Sequence, residues 1–293
     1  MHTIGIDIQN TIRKFLIEEQ VDPRWTEEDI FVWNNSLRMA KQLHIEYKDF
    51  YSSEYLEAFK VLNPQEGAIP QIKEINNLLE HVGWKAVYVE GYITDSLYKN
   101  LFANKLIPIA KHIRKPQEIM ETPTPDFIHD YIGHLPMLFS NDFKNLVQKW
   151  AKKSLSCVRS EDDLAAEKLQ EELMHTRKME HPDQRKIDQI TVDLRAVYAQ
   201  IKKQPSAYCK MTRFFIWALE FGVLEAPDGN RGLIGSAMLS SIQEQKKFFD
   251  GEFDILSFED YAMDADIDYT IAEPHLFCAK SIENLNLILD GII

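Results

Sequence analysis

A single, mainly α-helical domain with a few short β-strands, carrying a charged helical hairpin within it, is the fold class predicted for these 293 residues. Three observations predict it. Apolar residues recur at helical spacing along most of the chain, and only 11 Gly and 12 Pro interrupt it. Trp84 to Glu90 alone turns toward the alternating period of a strand, and 106–110 is a second short extended piece. One segment, 151–207, differs in composition from everything around it: it holds 11 basic and 10 acidic residues and few aromatics. The length would allow two domains, but no Gly/Ser linker, internal repeat or low-complexity tract divides the chain. The expectation is one catalytic domain over 1–293 with 151–207 inserted in it.

Taken in order, 26–48 and 53–62 read as helices, the second opening at Ser53 with Glu54 behind it and stopping before Asn63-Pro64. Ile72, Ile75, Leu78 and Leu79 give 70–82 an apolar helical face. Trp84 to Glu90 then alternates toward a strand closed by Gly91, 95–104 returns to helix, and 106–110 is a second short extended piece. Within 151–207, Ser160 and Asp163 form a capping-box signature. His181-Pro182-Asp183 signals a turn, and Ile187, Ile190, Leu194, Val197 and Ile201 follow at three- and four-residue steps. That is a hairpin ended by Gln204-Pro205-Ser206. A lid or partner-binding arm is one use for it; a solvated surface insertion is the plainer one, and charged amphipathic helices usually just pack and face water.

The chain carries 46 acidic against 33 basic residues, a formal net charge of −13. Nucleic acid and anionic membranes would repel it, whereas a small anionic substrate needs only one well-placed arginine. The acid is concentrated, with seven acidic and no basic residues in 251–268. Cys157, Cys209 and Cys278 are too sparse for a disulfide framework and fit a reducing compartment. The most apolar stretch, 214–226, is too short to span a bilayer and contains Glu220 and Glu225. With no signal-peptide pattern at the N-terminus, a cytoplasmic location is expected.

Chemistry begins at Thr122-Pro123-Thr124-Pro125-Asp126-Phe127-Ile128-His129-Asp130-Tyr131-Ile132-Gly133-His134-Leu135-Pro136. On a straight α-helix, a five-residue step at roughly 100° per residue would splay the two imidazoles by about 140°. The pair converges only if the helix stops between them, and Gly133 as a left-handed cap followed by Pro136 offers such a stop. Two histidines alone read equally well as a buried, hydrogen-bonded pair. Glu220, in the otherwise apolar run Phe214-Phe215-Ile216-Trp217-Ala218-Leu219-Glu220-Phe221, changes the balance. A buried carboxylate needs a cation or a proton, and two imidazoles with one carboxylate are the facial ligand set of oxygen-activating Fe(II). A zinc hydrolase is disfavoured, because no general-base glutamate adjoins either histidine.

With those residues in view, the chain resembles the pterin-dependent aromatic amino acid hydroxylases, the phenylalanine, tyrosine and tryptophan hydroxylase family, and most closely their short bacterial members. The motifs run in the family's order: Trp84 to Gly91, Leu101-Phe102-Ala103-Asn104, Pro108, Ile113-Arg114, the histidine segment, and Leu219-Glu220-Phe221-Gly222. Gly235-Ser236-Ala237-Met238-Leu239-Ser240-Ser241 and Pro274-His275-Leu276-Phe277 complete the series. The resemblance covers roughly 25–145 and 208–290 and implies that family's catalytic-domain fold.

The resemblance further implies that His129, His134 and Glu220 hold Fe(II) and that Arg114 binds the substrate carboxylate. A planar guanidinium suits that task, since it makes two parallel hydrogen bonds. Asp126 would orient Arg114, Thr122 and Ser240 would meet the substrate's polar end, and Pro125, Phe221 and Ile216 would wall its ring. For a tetrahydropterin, Tyr98 takes the family's stacking position, Tyr92, Ile93 and Thr94 align with the loop around the pterin ring, and Asp130 lies on the cofactor side of the iron. The implied reaction places one atom of O₂ on the ring of a free aromatic amino acid, L-phenylalanine ahead of L-tryptophan. A monomer is expected, with the hairpin as the element a dimer would use.

Departures from the family bear on the substrate. Phe215 stands where tyrosine is common, Ile216 where a bulky aromatic is common, Ala237 where glycine is, and the hairpin has no counterpart of its length in the bacterial members. These motivate two rivals: the same chemistry on a modified or carrier-bound aromatic acid, and a homologue that binds metal or ligand without turnover.

Overall fold

In the computed structural model, Thr26 starts the first long helix by a reciprocal cap. Its hydroxyl accepts from Asp29 N at 3.2 Å, and Asp29 Oδ2 accepts from Thr26 N at 2.7 Å. The structure describes residues 3–18, 20–91, 93–122, 124–177, 179, 183–226, 229–265 and 275–292. Helices α1 (Thr3–Ile17), α2 (Glu27–Glu46), α3 (Ser53–Leu62) and α4 (Ile72–Glu80) come first. The sequence reading did not anticipate α1, which buries Ile12 beside Val87, Leu101 and Leu106. The cap of α3 is Ser52, one residue before the expected start, and Asn63 ends that helix in the left-handed region at φ 43°.

The two extended stretches form β1 (Lys85–Val89) and β2 (Leu106–Ala110), with α5 (Asp95–Ala103) between them; both strands are buried on both faces, so neither keeps an alternating burial. They pair in parallel, Lys85 opposite Leu106 through Val89 opposite Ala110. Next come α6 (Leu135–Met137), α7 (Asn141–Ser156), α8 (Glu161–Arg177), α9 (Gln184–Lys203) and α10 (Ala207–Phe214). Helices α8 and α9 are the charged hairpin. The capping box at its start is formed, Ser160 N to Asp163 Oδ2 at 2.8 Å and Asp163 N to Ser160 Oγ at 3.1 Å. Ile187, Ile190, Leu194 and Ile201 are buried and Val197 half-buried. His181 and Pro182 of the expected turn lie outside the described residues, while Asp183 caps α9. Residues 151–156 continue α7, whose Ala151 and Ser154 are in the core, so the hairpin departs after Cys157.

The remaining elements are β3 (Val223–Glu225), β4 (Arg231–Leu233), α11 (Ser236–Ser240), α12 (Ile242–Phe249), β5 (Asp254–Ser257), α13 (Phe258–Tyr261), β6 (His275–Ala279) and α14 (Ile282–Gly291). The four strands form one small sheet in the order β4-β3-β6-β5, with β6 parallel to both neighbours. A single large core runs from α2 to α14, with Trp33, Trp150 and Trp217 fully buried in it. Among the described residues, no helix is long and apolar enough to cross a membrane.

Candidate active site

The helix carrying the two histidines does not stop at Gly133. It widens instead: His129–His134 is a π-helical turn, closed by the five-residue bond from Leu135 N to Asp130 O. In that ladder, residues five apart lie one above the other, so the rings meet without a break in the chain. Gly133 has no left-handed φ among the described residues. It is needed for close approach, because a Cβ there would stand 2.4 Å from Ser236 O. A second π-helical turn, Phe215–Glu220, closed by Phe221 N to Ile216 O at 2.9 Å, ends on Glu220. Gly235 lets α11 pass this turn as well, since its Cβ would lie 2.3 Å from Glu220 O.

The two widened turns aim three donor groups at one point. His129 Nε2 and His134 Nε2 are 3.2 Å apart, His134 Nε2 is 3.3 Å from Glu220 Oε1, and His129 Nε2 is 3.6 Å from Glu220 Oε2. Donors held about 2.1 Å from one ion at roughly right angles would lie about 3 Å apart, so the spacing suits a single ion. Among the described residues, these three buried side chains are the one group of three or more His, Cys, Asp or Glu placed to hold a metal.

Helix α11 orients two of the three. Ser240 Oγ lies 3.0 Å from His129 Nδ1, which leaves Nε2 for the centre, and Ser236 Oγ donates to Glu220 Oε2 at 2.6 Å. Burial holds His129 neutral, with a pKa near 4. Burial opposes charge on His134 too, but the Glu220 carboxylate outweighs it and lifts that pKa. Glu220, which burial would raise, is held at about 2 by His134 and Ser236. The ionised carboxylate suits a divalent ion, which on binding would displace the proton that Glu220 favours on His134.

Beside this centre lies a buried ion pair. Arg114 donates from Nε to Asp126 Oδ2 at 3.0 Å and from Nη2 to Asp126 Oδ1 at 2.8 Å, both side chains being 1% exposed. Arg114 Nη1 donates to Ser240 O at 3.1 Å, and Asp126 Oδ1 also accepts from His129 N at 2.9 Å. Burial would raise the Asp126 pKa, but Arg114 and the two backbone N–H groups pull it below the ordinary carboxylate range.

The other expected residues are placed unequally. Asp130 is buried, accepts from Ala110 N at 2.7 Å, and is pushed by burial to a pKa of about 7. Tyr98 packs on Phe102 at 4.8 Å and edge-on to Phe215 at 5.5 Å. Burial, then the charge of Glu220, raises its pKa, and the Phe102 ring it packs on lies edge-on to His134 at 6.2 Å. Ile93 and Thr94 are half-buried just before α5, which Thr94 caps, whereas Tyr92 lies outside the described residues. Ile216 and Phe221 are half-buried and Pro125 is exposed. The Thr122 hydroxyl is spent on its own loop, donating to Thr124 O at 2.9 Å. Trp217 turns its indole to β6, 4.9 Å from Phe277 and 5.5 Å from His275. Ser236 carried no assignment from sequence; its signal was a hydroxyl four residues before Ser240, on the same face of a helix.

Known proteins share this sequence pattern and this fold. A family model described as biopterin-dependent aromatic amino acid hydroxylase matches residues 10–177, a span holding both histidines, Arg114 and Asp126. The chain is 32% identical over 156 residues to a chloroplastic phenylalanine 4-monooxygenase of Pinus taeda, covering 53% of this chain and 43% of that one. It is 29% identical over 138 residues to a phenylalanine-4-hydroxylase of Pseudomonas aeruginosa, covering 47% and 52%. The chain thus spans about half the length of the curated relatives it matches. The phenylalanine hydroxylase of Colwellia psychrerythraea superposes with a TM-score of 0.69 at 20% identity, covering 93% of this chain and 90% of that one. That of Chromobacterium violaceum, solved with iron(III) and 7,8-dihydrobiopterin, gives 0.68 at 19%, covering 96% and 88%. The fold is the catalytic-domain fold of these enzymes, and Glu220, Ser236 and Ser240 come to the site from beyond the matched span. The chain belongs to the biopterin-dependent aromatic amino acid hydroxylase family.

Proposed function

We propose that this protein is an iron- and tetrahydropterin-dependent monooxygenase that hydroxylates the ring of a free aromatic amino acid, with L-phenylalanine the first substrate and L-tryptophan the second. The observation that carries the reading is the single buried assembly in which His129, His134 and Glu220 converge beside the Arg114–Asp126 pair, with Ser240 bonded to both. Iron and the reduced pterin would supply the oxygen-activating chemistry, one atom of O₂ going to the ring and the other to the pterin.

The chain's own residues do the rest. His129, His134 and Glu220 would hold the metal through their three converging donor atoms. Arg114, fixed by Asp126 and by the Ser240 carbonyl, would take the amino acid's carboxylate in a geometry it need not reorganise to reach. Ile216, Phe221 and Pro125 would border the ring, and Tyr98, Thr94, Ile93, Tyr92 and Asp130 the pterin. Half-buried Ile216, with Trp217 turned to β6, favours room for an indole and keeps L-tryptophan in the assay.

The test is turnover by purified protein with Fe(II), tetrahydrobiopterin and O₂, offered each of the three aromatic amino acids and read by mass spectrometry of the amino acid. A hydroxylated product from phenylalanine or tryptophan is expected. No product from any of the three by iron-loaded protein would refute the reading.

A further inference from the structure

The charged hairpin is attached to the body at a point that the metal site does not explain. Its entering stem carries Arg159 and its leaving stem Tyr208, and both reach Asp95, the first residue of α5. Tyr208 donates its hydroxyl to Asp95 Oδ2, and Arg159 Nη2 lies 3.7 Å from the same oxygen. Arg159 also donates to the Tyr208 hydroxyl oxygen at 2.8 Å and to Glu167 Oε2 of α8 at 2.5 Å. Lys99, one turn along α5 and 1% exposed, donates to Asp95 Oδ2 at 2.7 Å and sits 3.8 Å over the Tyr208 ring. The two stems are themselves tied, Ser206 Oγ to Asp163 Oδ2 at 2.7 Å.

Asp95 therefore gathers two hydrogen-bond donors, Lys99 and Tyr208, and the Arg159 guanidinium as a third contact, Arg159 and Tyr208 coming from the two stems of the hairpin. A desolvated ammonium such as that of Lys99 needs its carboxylate where it is, so this group resists displacement. The position matters because Thr94 precedes Asp95 and Tyr98 follows within the same turn of α5.

We propose that Arg159 and Tyr208 are positioning residues for the pterin: the base of the hairpin fixes the start of α5, and with it the Thr94 and Tyr98 surfaces against which the pterin binds. The proposal rests on the reading of Tyr98 and its loop as the pterin side of the site.

The test uses the full chain with Tyr208→Phe, Arg159→Gln and the pair. Tyr208→Phe keeps the ring beneath Lys99 and removes only the hydroxyl. Binding of 7,8-dihydrobiopterin by calorimetry, cobalt(II) affinity at the metal site, and KM for tetrahydrobiopterin against KM for phenylalanine are measured. Each single change is expected to weaken dihydrobiopterin binding about fivefold, the scale of one ordinary hydrogen bond, and to raise the pterin KM in step. Cobalt affinity and the phenylalanine KM should stay within about twofold, since neither Arg159 nor Tyr208 touches those sites. Unchanged dihydrobiopterin binding in the pair overturns the proposal, and so does a loss of cobalt affinity as large as the loss of pterin affinity. If the unaltered protein binds no dihydrobiopterin, the reading of the pterin side fails first and the proposal goes with it.

Discussion

Replacing Gly133 by alanine should disable the metal site without touching a ligand. The new Cβ would lie 2.4 Å from Ser236 O and 3.0 Å from Ser236 C and Cα, all backbone atoms that cannot rotate away. Ordinary contact begins at 3.4 Å, so α11 must retreat by about 1 Å. The bond from Ser236 Oγ to Glu220, now 2.6 Å, would open to about 3.6 Å and cease to be one. The Ser240 contact to His129 Nδ1, at 3.0 Å, would go the same way. Overpacking of this kind costs about 1–3 kcal/mol of stability, and loss of outer partners to a metal ligand typically costs about 10- to 100-fold in affinity. Urea unfolding of the metal-free protein and cobalt(II) titration by visible absorption measure the two effects. Gly291→Ala, where an added Cβ meets nothing within 4 Å, serves as the control and should change neither. A Gly133→Ala protein with unaltered urea midpoint and cobalt affinity would refute the account of α11 as the support of the ligands.

Three other outcomes are expected. Glu220→Gln removes the only anionic donor of the three and should cost more cobalt affinity than the roughly 10- to 100-fold of an outer partner, read by the same titration. Asp126→Asn leaves the buried Arg114 without a countercharge, so about 3–5 kcal/mol of stability should be lost in urea unfolding, and the KM for phenylalanine should rise far more than cobalt affinity falls. The pH dependence of stability should carry the signature of His44, which burial among Tyr51, Tyr55 and Phe59 holds neutral with a pKa of about 4, below the ordinary histidine value of about 6.5. The unfolded chain binds this proton below pH 6.5 and the folded chain does not, so the contribution is complete above that pH. It should be lost by on the order of 3 kcal/mol on descending to pH 4. His44→Phe should flatten that limb of the stability profile; an unchanged slope would rule His44 out as its source.

The sequence disclosed the fold where local signals are strong. The helices over 26–48 and 53–62, the amphipathic face of α4 and the capping box at Ser160 each reflect bonding within a few residues. It disclosed the donors as well, because Glu220 inside an apolar helix and two closely spaced histidines are chemically conspicuous. How they converge was not legible. A π-helical turn leaves no mark in apolar periodicity, and so Gly133 read as a helix stop when its real task is to admit the backbone of α11. Ser236 was invisible for a related reason: its role depends on a contact between segments 16 residues apart that only the packed α11 creates. The strands β3 and β4, of three residues each, were too short to declare a period.

The bonds of Ser240 and Asp126 have a consequence for energetics. Each residue serves two masters, Ser240 with separate atoms and Asp126 with one shared oxygen. Ser240 offers its hydroxyl to His129 and its carbonyl to Arg114, and Asp126 Oδ1 accepts from both the Arg114 guanidinium and the His129 backbone. An anion drawn to Arg114 therefore pulls on the same atoms that steady a metal donor. If Arg114 takes an anion while the histidines hold a metal, the two binding events are linked through these atoms, and such linkage is reciprocal: whatever factor the anion adds to or takes from the hold on the metal, the metal adds to or takes from the hold on the anion.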